Sequence, residues 1–276
     1  MNIPDGISDL HLDYPIHPTP RHGHSQPLHG PLCELLQAGS QGYRERLLSF
    51  LEFQEALGGI QLTREAAGNE LDPVWHNGFL PGLDAVALYG MLAQEAPALY
   101  LEIGSGNSTK VARKVIRDRG LGTQILSIDP YPRAEVDELC DEVLRQPLEH
   151  VDLEIFGRLK SGDILFFDGS HRVFMNSDVV VFFMDVLPRL PRGVWVQIHD
   201  IFLPNDYPEH WVDRFYSEQY MLAVALLFQQ DRLEVVLPNH FIAIHPTLQY
   251  VLDPLWTRPG MDTVERGGVS FWLRTK

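Results

Sequence analysis

Cysteine, basic residues and long apolar runs are all scarce in this sequence. Only 2 cysteines occur among 276 residues. Cys33 and Cys140 fall in no metal or redox spacing, so they read as two reduced thiols. Lys and Arg number 22 against 37 Asp and Glu, a formal charge of −15. The basic residues are not clustered. Phosphate recognition needs a basic footprint, which excludes nucleic acid as a main partner. The acidity itself asks for no more than solubility. No apolar run reaches the ~18 residues of a membrane span, and no basic segment followed by an apolar one opens the chain. A soluble, unexported, cytoplasmic protein with no membrane partner is expected. What is plentiful is hydrophobic content, 45%, enough for one large core or for one core with an appendage.

Residues 1–30 hold Pro15, Pro18, Pro20 and Pro27 with His11, His17, His22, His24 and His29. The prolines block regular structure and the histidines are irregularly spaced, so an extended or mobile arm is expected rather than a metal site. From Leu32 to Leu57 the spacing turns helical, with Leu35, Leu36, Leu47, Leu48, Leu51 and Phe53 on one side. A second helix is predicted from Leu83 to Ala96. Beyond it, apolar strand candidates at 98–103, 124–128, 163–168 and 193–199 alternate with helical stretches at 108–118, 133–143 and 174–188. A short strand is expected near 143–148 and a helix over 210–228. Strands alternating with helices argue an α/β fold, a doubly wound and mostly parallel sheet covered on both faces. Leu233–Leu237 and Val269–Leu273, with no clear helix between them, read as an antiparallel pair at the sheet edge. One α/β domain is expected over 75–276, preceded by the arm and a helical extension over 1–74. The N-terminal helices offer a surface for a second subunit.

The most informative segment is Leu99 to Thr109. An apolar strand ends in Glu102, then in Gly104 and Gly106. A helix with Val111, Ala112, Val115 and Ile116 as its apolar face follows. Glycine permits the tight turn and lets a nucleotide-like ligand approach the backbone. In an open parallel sheet, ligands bind beyond the carboxyl ends of the strands. The second strand ends in Asp129, whose carboxylate can accept hydrogen bonds from a ribose diol. A dinucleotide site would share these features, but its fingerprint needs a third glycine where Thr109 stands. A carboxylate at Glu102 suits a ligand with a cationic amino or sulfonium group better than a pyrophosphate.

From about Trp75 onward the sequence resembles the class I S-adenosylmethionine-dependent methyltransferases. Leu101 to Gly106 looks like the family's first motif, although Ser108 stands where many members carry a third glycine. Ser127-Ile128-Asp129 looks like the second motif, Asp163 to Asp168 like the fourth strand, and Phe271 to Arg274 like the antiparallel last strand. The resemblance implies a seven-stranded Rossmann-like sheet and S-adenosylmethionine as cofactor. Glu102, Gly104, Ser105, Gly106, Asp129 and Asp168 would be its binding residues, and Gln146 to Glu149 candidates for the adenine.

The fourth strand ends in Asp168-Gly169-Ser170-His171 and the fifth in His199-Asp200. Asp168, His199 and Asp200 could converge, and two carboxylates with an imidazole suit a divalent cation. His171 could reach a substrate hydroxyl as general base. The metal-assisted O-methyltransferases that the sequence resembles place an acid at the position of Asp168, an acidic pair at that of 199–200, and in some members a histidine base at that of His171. His199 departs from that acidic pair, and imidazole shifts preference from magnesium toward transition metals. Trp75, His76, Asn77 and Phe79, with the loop Phe202–Trp211, would line a pocket for a small-molecule acceptor. The expected activity is O-methylation of a hydroxyl. A nicotinamide-dependent oxidoreductase and a non-catalytic methyltransferase-like binding subunit are the alternatives.

Overall fold

In the computed structural model, residue 13 and residues 15–132, 135–228 and 231–276 are described. His11 and the first two residues of the helix expected over 133–143 lie outside them. Helices α1 Gly30–Ala38, α2 Ser40–Phe50, α3 Gln54–Gly58 and α4 Arg64–Ala67 come first, then α5 Gly82–Glu95. Strand β1 Leu99–Ile103, helix α6 Asn107–Arg119, β2 Gln124–Ile128, β3 Glu142–Leu144 and β4 Ile164–Phe167 follow. The remainder is α7 Asp178–Val181, β5 Trp195–Ile198, α8 Glu218–Phe228, β6 Leu233–Pro238, α9 Asn239–Ile244, α10 Asp253–Trp256 and β7 Phe271–Thr275.

The seven strands lie in the order β3-β2-β1-β4-β5-β7-β6, with β7 antiparallel to both neighbours. The chain leaves β1 to one side for β2 and returns to its other side for β4. That makes the β1/β4 edge the topological switch point, where open α/β sheets bind ligands. Every residue of β1, β4 and β5 is buried, as near-continuous apolar runs require when helices cover both faces. Helix α6 turns Val111, Ala112, Val115 and Ile116 into the core as its spacing predicts. Helix α5 is buried from Gly82 through Leu92. It packs against α6, α2 and α9, and the N-terminal helices share one hydrophobic core with the sheet. Among the described residues no helix is long and apolar enough to cross a membrane.

Several expectations are corrected. The described part of 133–143 forms a 3-10 turn at Asp137–Leu139 followed by β3, because Glu142–Leu144 pairs with Leu126–Ile128. That strand ends at Leu144, where its register with β2 ends, and 145–148 lies beyond it. The stretch at 174–188 begins at Asp178, capped by Ser177, and widens to a π turn over Phe182–Val186. The helix expected over 210–228 is broken. A 3-10 segment Glu209–Arg214 ends at Phe215 (φ +55°), and α8 starts only at Glu218. Short helices α9 and α10 do lie between β6 and β7. The 32–57 pattern divides at Gly39, and Leu48 faces solvent.

Candidate active site

The strand register builds the site. Ile103 pairs with Ile128 and Phe167, and Phe167 pairs with Ile198. The next residue on each strand is therefore Gly104, Asp129, Asp168 or His199, in one row along the carboxyl edge. Their amides continue the ladder. Gly104 N donates to Ile128 O (3.0 Å), Asp168 N to Ile103 O (2.9 Å) and His199 N to Phe167 O (2.9 Å).

At Gly104 the backbone is left-handed (φ +83°), and a Cβ there would run into the Asp168 carbonyl. Only glycine meets both conditions without strain. The turn lets Ser105 N donate to Asp129 Oδ2 (2.8 Å), while Asp129 Oδ1 accepts from Tyr131 N (2.8 Å). Asp129 is thus fixed at the edge of a cleft of about 380 Å³, lined also by Gly104, Ser105, Pro147, Leu148, Glu149 and Asp168. Of the residues expected at the adenine, Pro147 to Glu149 line this cleft and Gln146 does not. Gly106 lines a smaller recess with Phe79, Asp168 and His199.

Glu102 does not face a cleft, which corrects its expected direct contact with the cofactor. It is fully buried beneath the glycine turn. Its carboxylate accepts from Thr109 Oγ1 and, at 3.2 Å each, from Ser108 Oγ and Tyr100 OH. Thr109 Oγ1 in turn accepts from Gly106 N (3.0 Å), so the threonine that replaces a dinucleotide glycine ties the turn to the acid below it. Burial pushes the Glu102 carboxyl up to about 8, against the three hydroxyl donors, which lower it. A carboxyl raised on folding adds stability that is full below its unfolded value and lost as pH rises through the folded one. Unfolding midpoints should therefore fall between about pH 5 and about pH 9 in the wild type, and fall less in Glu102→Gln. Parallel profiles in denaturant titrations would remove Glu102 as the cause.

A cluster of acids and histidines lies one strand further along. His171 is buried with φ +63°, and Asp200 has φ +57°. His171 Nδ1 is 2.5 Å from Glu218 Oε1, and its Nε2 is 3.3 Å from Asp168 Oδ1 and 3.5 Å from Asp200 Oδ2. His199 Nδ1 stands 3.3 Å from Asp200 Oδ1 and 3.9 Å from Asp168 Oδ1. One ligand atom from each of Asp168, His199 and Asp200 lies within 4.8 Å of the others. Burial alone would depress the titration of His171. The Glu218 and Asp168 carboxylates outweigh it and hold the ring well above its ordinary value. Asp168, Asp200 and Asp84 do the same for His199, again against burial.

Residues 101–201 match the family model of a methyltransferase domain. Over that stretch the chain carries a methyltransferase domain, in line with the class I, S-adenosylmethionine-dependent reading. The nicotinamide reading is set aside with that match. The SAH-bound methyltransferase PaMTH1 of Podospora anserina is 16% identical, covering 92% of this chain and 99% of its own, with a TM-score of 0.44. The O-methyltransferase from Bacillus cereus in complex with SAH is 12% identical over 91% of this chain and 93% of its own, TM-score 0.40. The O-methyltransferase TomG from Streptomyces achromogenes is 15% identical over 68% and 77%, TM-score 0.39. No curated protein sequence matches the chain.

The methyltransferase has a second and larger cavity, of about 1010 Å³, beside the cleft at Asp129. Asp168 lines both, so the two spaces meet at the end of β4. His171, His199 and Asp200 face the larger one, with Trp75, Phe79, Phe202, Trp211 and Tyr216 as its rings. Trp75, His76 and Phe79 take the places expected of them. Asn77 does not, because its amide is spent on its own turn, donating to Val74 O and Leu80 O. The arm straps the wall of this cavity. Asp206 Oδ2 accepts from Arg21 N and His22 N (2.6 and 2.9 Å), and Asp206 N donates to His22 O.

Two buried acids beside the histidines escaped the sequence reading. Asp84 is buried in α5 and accepts from Asn239 Nδ2, Val269 N and Ser270 N. Its Oδ2 comes within 3.3 Å of His199 Nε2, a charge contact not aligned as a hydrogen bond. Glu218 heads α8. Each stands as a single buried acid in a mostly apolar helix, and that pattern was visible in the sequence.

Proposed function

We propose that this methyltransferase transfers a methyl group to a hydroxyl oxygen of a small-molecule acceptor, with His171 as general base. The observation that carries the reading is Asp168 lining both cavities with His171 Nε2 3.3 Å away. Bound S-adenosylmethionine supplies a methyl group on positively charged sulfur. Asp129 binds the ribose diol, the backbone of Gly104 to Gly106 lets the cofactor approach, and Pro147 to Glu149 flank the adenine. Asp168 faces the cationic end of the cofactor, while Glu102 holds the turn from below. His171 Nε2 takes the hydroxyl proton as the oxygen attacks. A base must be neutral, so the charge of Asp168 and Asp200 has to be compensated in the loaded site. The aromatic walls favour an acceptor with apolar or planar surface. Residues 75–276 act as the methyltransferase domain, with 1–74 as its arm and helical extension.

The donor set also fits a divalent cation. Asp168 and Asp200 offer oxygens, and the Asp84 carboxylate beside Nε2 leaves His199 Nδ1 turned toward them, a carboxylate–histidine arrangement common behind metal ligands. Such a cation would lower the hydroxyl's pKa and orient it.

Calorimetry with S-adenosylhomocysteine and with NAD, then transfer from S-adenosylmethionine to a panel of hydroxyl acceptors, tests the reading. Heat with the first ligand alone and label on oxygen are expected. Binding without transfer to any acceptor favours the non-catalytic alternative. Activity undiminished by thorough chelation removes the metal and leaves the base.

A further inference from the structure

We propose that Glu218 is the positioning residue for His171: its buried carboxylate keeps the Nδ1 proton in place and leaves Nε2 to exchange protons with the acceptor cavity. The proposal rests on the reading of His171 as the base.

Glu218 is wholly buried, and a carboxylate without water needs a partner. Among the described residues its one hydrogen-bond partner is His171 Nδ1, while its second oxygen has none. A carboxylate at the head of a helix would ordinarily serve the free amides of the first turn. Here those amides are engaged elsewhere. Ser217 N and Glu218 N donate to His171 O (2.7 and 3.3 Å), and Gln219 N donates to Tyr207 OH (3.3 Å). The break before α8 is what points the Glu218 side chain at the ring.

The 2.5 Å contact holds one proton between Nδ1 and the Glu218 carboxylate, so the ring's other nitrogen, Nε2, is the exchangeable site. That nitrogen faces Asp168 and Asp200. Tyr216 lies against the ring, with centroids 4.3 Å apart. The carboxylate also stabilises the imidazolium formed when Nε2 accepts a proton, the service a buried acid gives a catalytic histidine. The main-chain clamp between 171 and 217–218 does not use the Glu218 side chain. Substitution there should therefore alter the ring without releasing the loop.

The test uses the full chain, labelled with nitrogen-15, as wild type, Glu218→Gln, Glu218→Asp and His171→Ala. Wild type should show a far-downfield Nδ1 proton resonance that His171→Ala lacks. Glu218→Gln should lose or shift it, and Glu218→Asp should keep part of the shift. On an acceptor found by the panel, Glu218→Gln should lower kcat on the order of 10²-fold. The acceptor KM and S-adenosylhomocysteine affinity should hold, and Glu218→Asp should be intermediate. An unchanged resonance in Glu218→Gln overturns the proposal, and the ring measurement needs no acceptor. Wild-type turnover by Glu218→Gln, on an acceptor that His171→Ala cannot methylate, overturns it as well. Wild-type turnover by His171→Ala instead overturns the base reading itself, which separates the two failures.

Discussion

His171→Ala is expected to lower methyl transfer by about 10²- to 10⁴-fold, the usual worth of a positioned acid–base group. Cofactor affinity should not move. His171 lines the larger cavity and not the cofactor cleft, so S-adenosylhomocysteine should bind the variant as it binds wild type. The fall should appear in kcat rather than in the acceptor's KM, since the ring acts on the proton in flight and not on the resting complex. Single-turnover rates with saturating acceptor, set beside calorimetric affinity, give the answer. Turnover near the wild-type value removes His171 from the reaction. Loss of cofactor affinity in step with turnover would mean that the substitution had disturbed the β4 edge as a whole.

Gly104→Ala should be the most damaging single methyl group that can be added to this chain at the cofactor edge. A left-handed backbone costs an L side chain roughly 1 kcal/mol or more, and here the new Cβ would also run into the Asp168 carbonyl. Backbone has to move, and what moves are the strand ends that hold both cavities. Destabilisation of at least about 2 kcal/mol is expected, with S-adenosylhomocysteine binding lost. Gly106→Ala is the contrast. A Cβ at Gly106 meets nothing within 4 Å, and φ is 166°, outside the left-handed range. It should leave the unfolding midpoint unchanged and, on the proposed reading that the backbone of Gly104 to Gly106 lets the cofactor approach, weaken S-adenosylhomocysteine binding alone. Urea titration and calorimetry on both variants measure the two effects separately. Equal stability losses would show that both glycines serve only the turn.

Much of the architecture is legible in the sequence because its signals are local. Apolar runs the length of a strand, the glycine pair after Glu102 and the acids that follow Ile128 and Phe167 are each written in contiguous residues. The α6 face forms as its spacing predicts. The failures are non-local in origin. Residues 135–144 carry a mixed pattern, and pairing with β2 outside that window decides it. The stretch at 210–228 has helical composition throughout. It breaks at Phe215 because Ser217 and Glu218 turn their amides onto His171, a partner more than forty positions away.

By itself, then, the sequence determined that strands and helices alternate, that the β1 turn admits a nucleotide-like ligand, and which polar residues stand at the strand ends. Side-chain periodicity and glycine's freedom at positive φ are properties of short segments, so they can be read there. Only the tertiary structure decided that Glu102 lies under the turn rather than in the cleft, that Asp168 faces two cavities, and that Asp84 and Glu218 stand behind the two histidines. Those facts depend on strand register and on helices brought in from distant parts of the chain. No local pattern encodes which buried acid meets which ring.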